Sequence, residues 1–198
     1  MTPRRRALGL LLGLVLVTLQ VGTVTAAQPK SDGDLSRNGT YRSSLALDAA
    51  TCRLFGVKPG CSVPIETIVS DQAPAAGQVA LAAAITCKKA YSHLNFSTFG
   101  NLYGQDAYIH IPICFNGSTI WHGGPEGAWG PDCWIANLAL GYGWDSTWCG
   151  IVANNTDHMQ AGHNWSIFPY ILPFSKTKFW ARMNFRTNGT FWWTGGKV

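Results

Sequence analysis

All six cysteines of this chain, Cys52, Cys61, Cys87, Cys114, Cys133 and Cys149, lie downstream of an export-type N-terminus, and that arrangement restricts the fold more than any other feature. Arg4, Arg5 and Arg6 precede an apolar run, Ala7 to Val17, that is too short to span a bilayer as a permanent helix. Small residues follow at Val24-Thr25-Ala26. Together these parts read as a secretory signal peptide over residues 1–26, so the expected localisation is secreted and extracellular. An even cysteine count in an oxidising compartment implies three disulfides. Two pairs are local, Cys52 with Cys61 and Cys133 with Cys149, and elimination leaves Cys87 with Cys114. CxxC-like pairs, which a structural zinc site needs, are absent.

Without the signal the chain is long enough for one domain with one core, burying about 70% of its unfolded surface. Cleavage removes three of the 15 lysines and arginines and none of the 10 acids, which leaves a net charge of +2. Such a mild balance gives no reason to expect nucleic acid as a partner.

Residues 27–43 are polar and lack periodic apolar positions, so they read as a flexible leader, with the secreted domain running from 44 to 198. Within it, 44–78 reads as a helical and loop part. Ser44 can cap a short helix over 45–55, which Gly56 would end in the left-handed conformation. From 79 the character is β. Residues 79–87 alternate with period two, although Ala and Leu also favour helix there.

Two Asn-Gly turns carry the strongest local signals. A two-residue loop at Asn116-Gly117 pairs Phe115 with Ser118 and Ile113 with Ile120, putting Ile111, Ile113 and Ile120 on one buried face. His110, Pro112, Cys114 and Trp121 then point the other way, and Pro112 predicts an edge strand or a bulge. The same loop at Asn188-Gly189 pairs Phe185 with Trp192 and Met183 with Thr194. That register predicts one face of Phe179, Ala181, Met183, Phe185 and Trp192, and an opposite face of Trp180, Arg182, Asn184, Arg186, Phe191 and Trp193. Further short strands read over 133–139, 144–152 and 164–171. The expected class is mainly β, an antiparallel β-sandwich or barrel with a short N-terminal helix, stapled by disulfides.

The signal peptide, the CFNG hairpin (114–117), Trp-Cys-Gly (148–150) and the late aromatic Asn-Gly-Thr hairpin (188–190) together resemble uncharacterised small secreted β-rich proteins of high-GC Gram-positive bacteria. The resemblance covers roughly the last 110 residues. It implies a secreted all-β domain and transfers no catalytic residue.

All nine tryptophans fall between Trp121 and Trp193. Trp134, Trp144 and Trp148, beside two cysteines, read as core, since large aromatics are highly buried on average. The C-terminal hairpin is the better candidate surface. No Asp or Glu follows Asp157, whereas Lys176, Lys178, Arg182, Arg186 and Lys197 do. On the expected register Trp180, Arg182, Arg186, Phe191 and Trp193 share one face and form the candidate ligand-binding set. Cations beside exposed aromatics suit a glycan or an anionic cell-wall polymer. The competing reading is a solvated face whose arginine stems cover the rings.

Catalytic signals are weaker. Asp106, Glu126, Asp132, Asp145 and Asp157 offer carboxylates for a small extracellular hydrolase, but their spacing selects no pair. His158 and His163 flank HMQAGH without an evident third metal ligand. No GxSxG, HExxH or phosphate loop occurs, so no cofactor, metal or catalytic set is expected, and oxidised cysteines supply no thiol nucleophile. A membrane-active secreted toxin is the third alternative, suggested by the tryptophans and the basic tail. Asn38, Asn95, Asn116, Asn154, Asn164 and Asn188 each open an N-x-S/T triplet.

Overall fold

Strands that turn one side inward, most regularly Ser62–Asp71 with its alternating buried and exposed residues, build two antiparallel sheets in the computed structural model of the chain, which describes residues 31–72, 85–99, 105–123, 131–154 and 157–198. The signal-peptide assignment and Glu126 lie outside the described residues, as does most of the segment 79–87.

The first sheet is a meander of β2 (Gly39–Ala46), β3 (Ser62–Asp71), β4 (Thr86–Asn95) and β5 (Asp106–Phe115). The far side of β5 is shared by β6 (Ile120–His122), opposite 113–115, and β7 (Asp132–Ala136), opposite 106–110. Pro112, which has no N–H to give a ladder, falls in the gap between those two partners. The second sheet is also a meander, of β8 (Tyr142–Asn154), β9 (His158–Pro169), β10 (Thr177–Arg186) and β11 (Thr190–Lys197), and β1 (Gly33–Asp34) pairs with β11 at its edge. The inner faces meet in one apolar core: Val63, Ile65 and Val69, then Ile109, Ile111 and Ile113, against Trp165, Ile167, Phe179, Met183, Phe185 and Phe191. The chain is a disulfide-stapled antiparallel β-sandwich.

All three disulfides pair as expected. Cys52–Cys61 closes the connection from the helix α1 (Ala49–Leu54) to β3, Cys87–Cys114 links residues directly opposite each other on β4 and β5, and Cys133–Cys149 ties β7 of one sheet to β8 of the other. The helix is shorter than expected and capped by Asp48, whose carboxylate accepts from the Thr51 N–H (2.8 Å); Gly56 behind it has φ +71°. Its Phe55 stacks on Phe179 across the sandwich.

Three expectations are corrected. The leader 27–43, described from Ser31 on, is no loose tail there: Tyr41 and Leu45 of β2 turn inward, and the Tyr41 hydroxyl donates to Asp34 O. Within 44–78, described up to residue 72, β3 is a full strand with Val63, Ile65, Thr67 and Val69 on its inner side. Both hairpin loops are longer than two residues. The first spans 116–119, pairing Phe115 with Ile120 and Ile113 with His122, a shift of two that preserves every face. The second spans 187–189, with the Gly189 N–H donating to Arg186 O and Gly189 at φ +84°. It pairs Phe185 with Phe191 and Met183 with Trp193. That shift of one exchanges the two faces of β11.

Candidate functional site

The exchange on β11 decides which aromatics meet solvent. Of the expected ligand-binding set, Trp180, Arg182 and Arg186 do lie on the outer face of the second sheet. Phe191 (0% exposed) and Trp193 (6%) instead belong to the core. Trp192 takes their place outside, half-buried opposite Asn184. Trp148 joins that face as well. A one-residue bulge between Ser146 and Trp148 turns Trp148 outward while Trp144 still packs on the core. Trp134 is also outside, on the first sheet, so of the three tryptophans near the cysteines only Trp144 packs inward.

Arg182 organises the centre of this face. Its guanidinium lies over Trp148 (4.8 Å to the ring centroid) and Trp180 (5.5 Å). It donates to His163 O (3.2 Å), Ala181 O (2.9 Å) and Asn164 Oδ1 (2.7 Å). Its stem rests in a trough made by glycine: a Cβ on Gly162 would stand 2.4 Å from Arg182 Cδ, and one on Gly150 would stand 2.8 Å from the Trp148 ring. Arg182 is therefore a spacer holding two indoles apart, and burial pulls its pKa down from the ordinary arginine value. Beneath it, fully buried His163 is pushed down to about 4, first by desolvation and then by the Arg182 charge. His163 Nε2 lies 3.2 Å from Ser146 Oγ. Its Nδ1 meets no partner among the described residues, so nothing stabilises an imidazolium and the pair is poorly built for general-base work.

Two grooves flank Trp192. One, of about 400 Å³, is walled by Asp157, His158, Arg186, Asn188 and Trp192. There the Arg186 guanidinium sits 4.8 Å from the Trp192 ring and His158 stacks on it at 5.7 Å. The other, of about 380 Å³, runs along the edge between β11 and β2, with Trp180 and Trp192 beside Asp32, Ser44 and Thr194. Trp193 borders it from the core side, and its indole N–H is buried with no acceptor among the described residues. Asp32 Oδ2 accepts from the Trp193 backbone N–H (2.8 Å).

The first sheet's outer face is different. Trp134, Tyr108 and His93, from β7, β5 and β4, stack plane on plane at 4.9 and 4.7 Å. His93 Nε2 lies 3.4 Å from Asp106 Oδ1, and Asp106 is buried and accepts from Asn137 Nδ2. Glu66 stands opposite His93 and binds Arg42 at 3.2 Å; the three line a groove of about 230 Å³. Of the other acids read from the sequence, Asp132 faces His110 at 3.7 Å and Asp145 binds Lys176. His158 and His163, read as flanking a loop, are both in strand β9. Their odd spacing sends them to opposite faces, so they cannot share an ion, and no cluster of three or more metal-ligating side chains occurs among the described residues.

Trp192, Trp148, Asp32 and Glu66 were missed by sequence reasoning. The signal for Trp192 is the loop itself: a three-residue loop ending in a left-handed glycine is the next commonest hairpin after the two-residue one. Compared with family models, with curated proteins and with solved structures, the chain matches none.

Proposed function

We propose that this is a secreted, non-catalytic binding protein that takes an extracellular polymer, a carbohydrate above all, in the groove between Trp180 and Trp192. The observation that carries the reading is the pairing of two half-buried indoles with Asp32, Ser44 and Thr194 along one open edge. Indole faces suit the C–H faces of sugar rings, and a carboxylate with two hydroxyls suits sugar hydroxyl groups. Arg186 and His158, beyond Trp192, extend the surface toward an anionic glycan or cell-wall polymer. Three disulfides fit an extracellular setting. The resemblance to small secreted bacterial β-rich proteins agrees with this reading.

Tryptophan fluorescence and pull-down with insoluble glycans and bacterial cell walls test it. The oxidised protein should bind saturably, and Trp180→Ala and Trp192→Ala should each weaken binding about 30-fold, the effect of losing an aromatic hot spot of about 2 kcal/mol. Absence of binding across the panel, or unchanged binding in both variants, would sink the proposal.

The approach of His93 Nε2 to Asp106 Oδ1, 3.4 Å with no hydrogen bond formed between them, favours a second reading, a small extracellular hydrolase working at the Glu66 groove. In that reading bound substrate draws the pair together and the buried carboxylate orients the histidine for proton transfer. Glycan hydrolysis that His93→Ala abolishes would support it; glycan left intact by the wild-type protein would end it.

A further inference from the structure

Apolar side chains are fully offered to solvent at one end of the sandwich. In the loop between β9 and β10, Tyr170 is 66% exposed, Ile171 86%, Leu172 54% and Phe174 91%. Leu140, in the loop between β7 and β8, is fully exposed. The two loops are fastened together, the Tyr170 N–H donating to Gly141 O at 2.9 Å. The exposure is built rather than loose: consecutive turns, closed by Leu172 N–H to Pro169 O and Ser175 N–H to Leu172 O (both 3.0 Å), hold the segment, with Pro173 at the second position of the latter turn. Loops that only connect strands in water are polar; a contiguous apolar patch marks an interaction site.

The shape and the charge around the patch identify the partner. Two adjacent loop tips form a projecting apolar end, which suits insertion into a deformable medium better than capture of a side chain. Lys176 and Lys178 come two and four residues after Phe174, and Lys197 stands opposite Phe179 on the neighbouring strand. Asp145 engages Lys176; Lys178 and Lys197 are exposed. Apolar tips with lysines along their β10–β11 side match the acyl boundary and the anionic headgroups of a bilayer, and Tyr170 has the amphipathic character of interfacial aromatics. We propose that this end of the protein docks on an anionic lipid surface through Ile171, Phe174 and Leu140. No helix among the described residues is long and apolar enough to cross a membrane, so the contact is peripheral. The Asn188-Gly189 turn and its groove lie at the opposite end of β10 and would face away from the lipid.

Co-sedimentation of the oxidised, signal-free protein with vesicles of phosphatidylcholine alone, and of phosphatidylcholine and phosphatidylglycerol in equal parts, tests the proposal without any glycan present. The protein should sediment with the mixed vesicles. Ile171→Ser and Phe174→Ser should each weaken partitioning about tenfold, the loss of one buried apolar side chain, with an unchanged thermal midpoint because both residues are exposed. Lys178→Ser with Lys197→Ser should weaken binding to the mixed vesicles alone. Failure of the wild-type protein to bind the mixed vesicles, or equal binding by the serine variants, would overturn it. So would sedimentation-velocity dimers that Phe174→Ser dissolves, with no vesicle binding, which would assign the patch to a second copy of the chain.

Discussion

The two outer faces of the sandwich use aromatic side chains in opposite ways. On the first sheet Trp134, Tyr108 and His93 stack on one another, so most ring faces are already covered and the histidines stand against carboxylates. On the second sheet no such ring stack spans three strands among the described residues; Trp148 and Trp180 share one arginine, and Trp192 carries another together with His158. The contrast teaches that counting aromatics on a face says little about binding. A ring that packs on a ring serves the fold, whereas a ring bordered by charged and hydroxyl groups at an open edge keeps surface for a ligand.

The sharpest way to break the comparison is within β11. Phe191→Ala should lower unfolding stability by about 3–5 kcal/mol, as for a large side chain deleted from a core. Trp192→Ala, one residue on, should change it by no more than about 1 kcal/mol, the scale of a surface aromatic contact. Urea midpoints measure both, and a reversed order would mean that the strand runs in the other register.

A somewhat smaller effect belongs to His163, inside the second sheet. His163 is held neutral, with its folded pKa at about 4 against an ordinary 6.5. The unfolded chain therefore takes up a proton that the folded one refuses as pH falls below 6.5. Stability present above that pH is lost progressively down to about pH 4, approaching 3 kcal/mol in all. Urea melts at pH 7.5 and 4.5 should show the loss, and His163→Gln should flatten it; an unchanged slope in the variant would place the acid sensitivity elsewhere.

The smallest effect belongs to the ring stack. Trp134→Ala should remove about 1 kcal/mol of stability and leave glycan binding as it was. Weakened glycan binding would move the candidate site to the first sheet.

Much of this architecture is legible in the sequence because it rests on local chemistry. Cysteines nine and sixteen residues apart form the two local disulfides, and both Asn-Gly pairs mark real hairpins. What escapes is parity. An extra residue pair in the first hairpin loop leaves Ile111, Ile113 and Ile120 facing inward, while one extra residue in the second sends Phe191 and Trp193 to the core and Trp192 to the surface. The bulge before Trp148 has the same consequence. The early strands escape for another reason. Gly39–Ala46 reads as polar because its outward residues include Thr40, Arg42 and Ser44, and only Tyr41 and Leu45 show its inner side. The apolar loop end escapes for a similar reason: residues 170 and 171 read as the end of a strand over 164–171, whereas β9 stops at Pro169 and leaves them in an exposed turn.

The edge strand β1 carries a consequence for how the protein comes into being. Its ladder partner is β11: the Asp32 N–H donates to Phe191 O, the Leu35 N–H donates to Gly189 O, and Asp32 Oδ2 receives the Trp193 N–H. The clasp joins two segments that lie far apart in the sequence. Each sheet can zip as a meander of neighbouring strands, whereas this clasp is a contact of long sequence separation, so the Asp32 wall of the candidate groove forms only once β11 is in place.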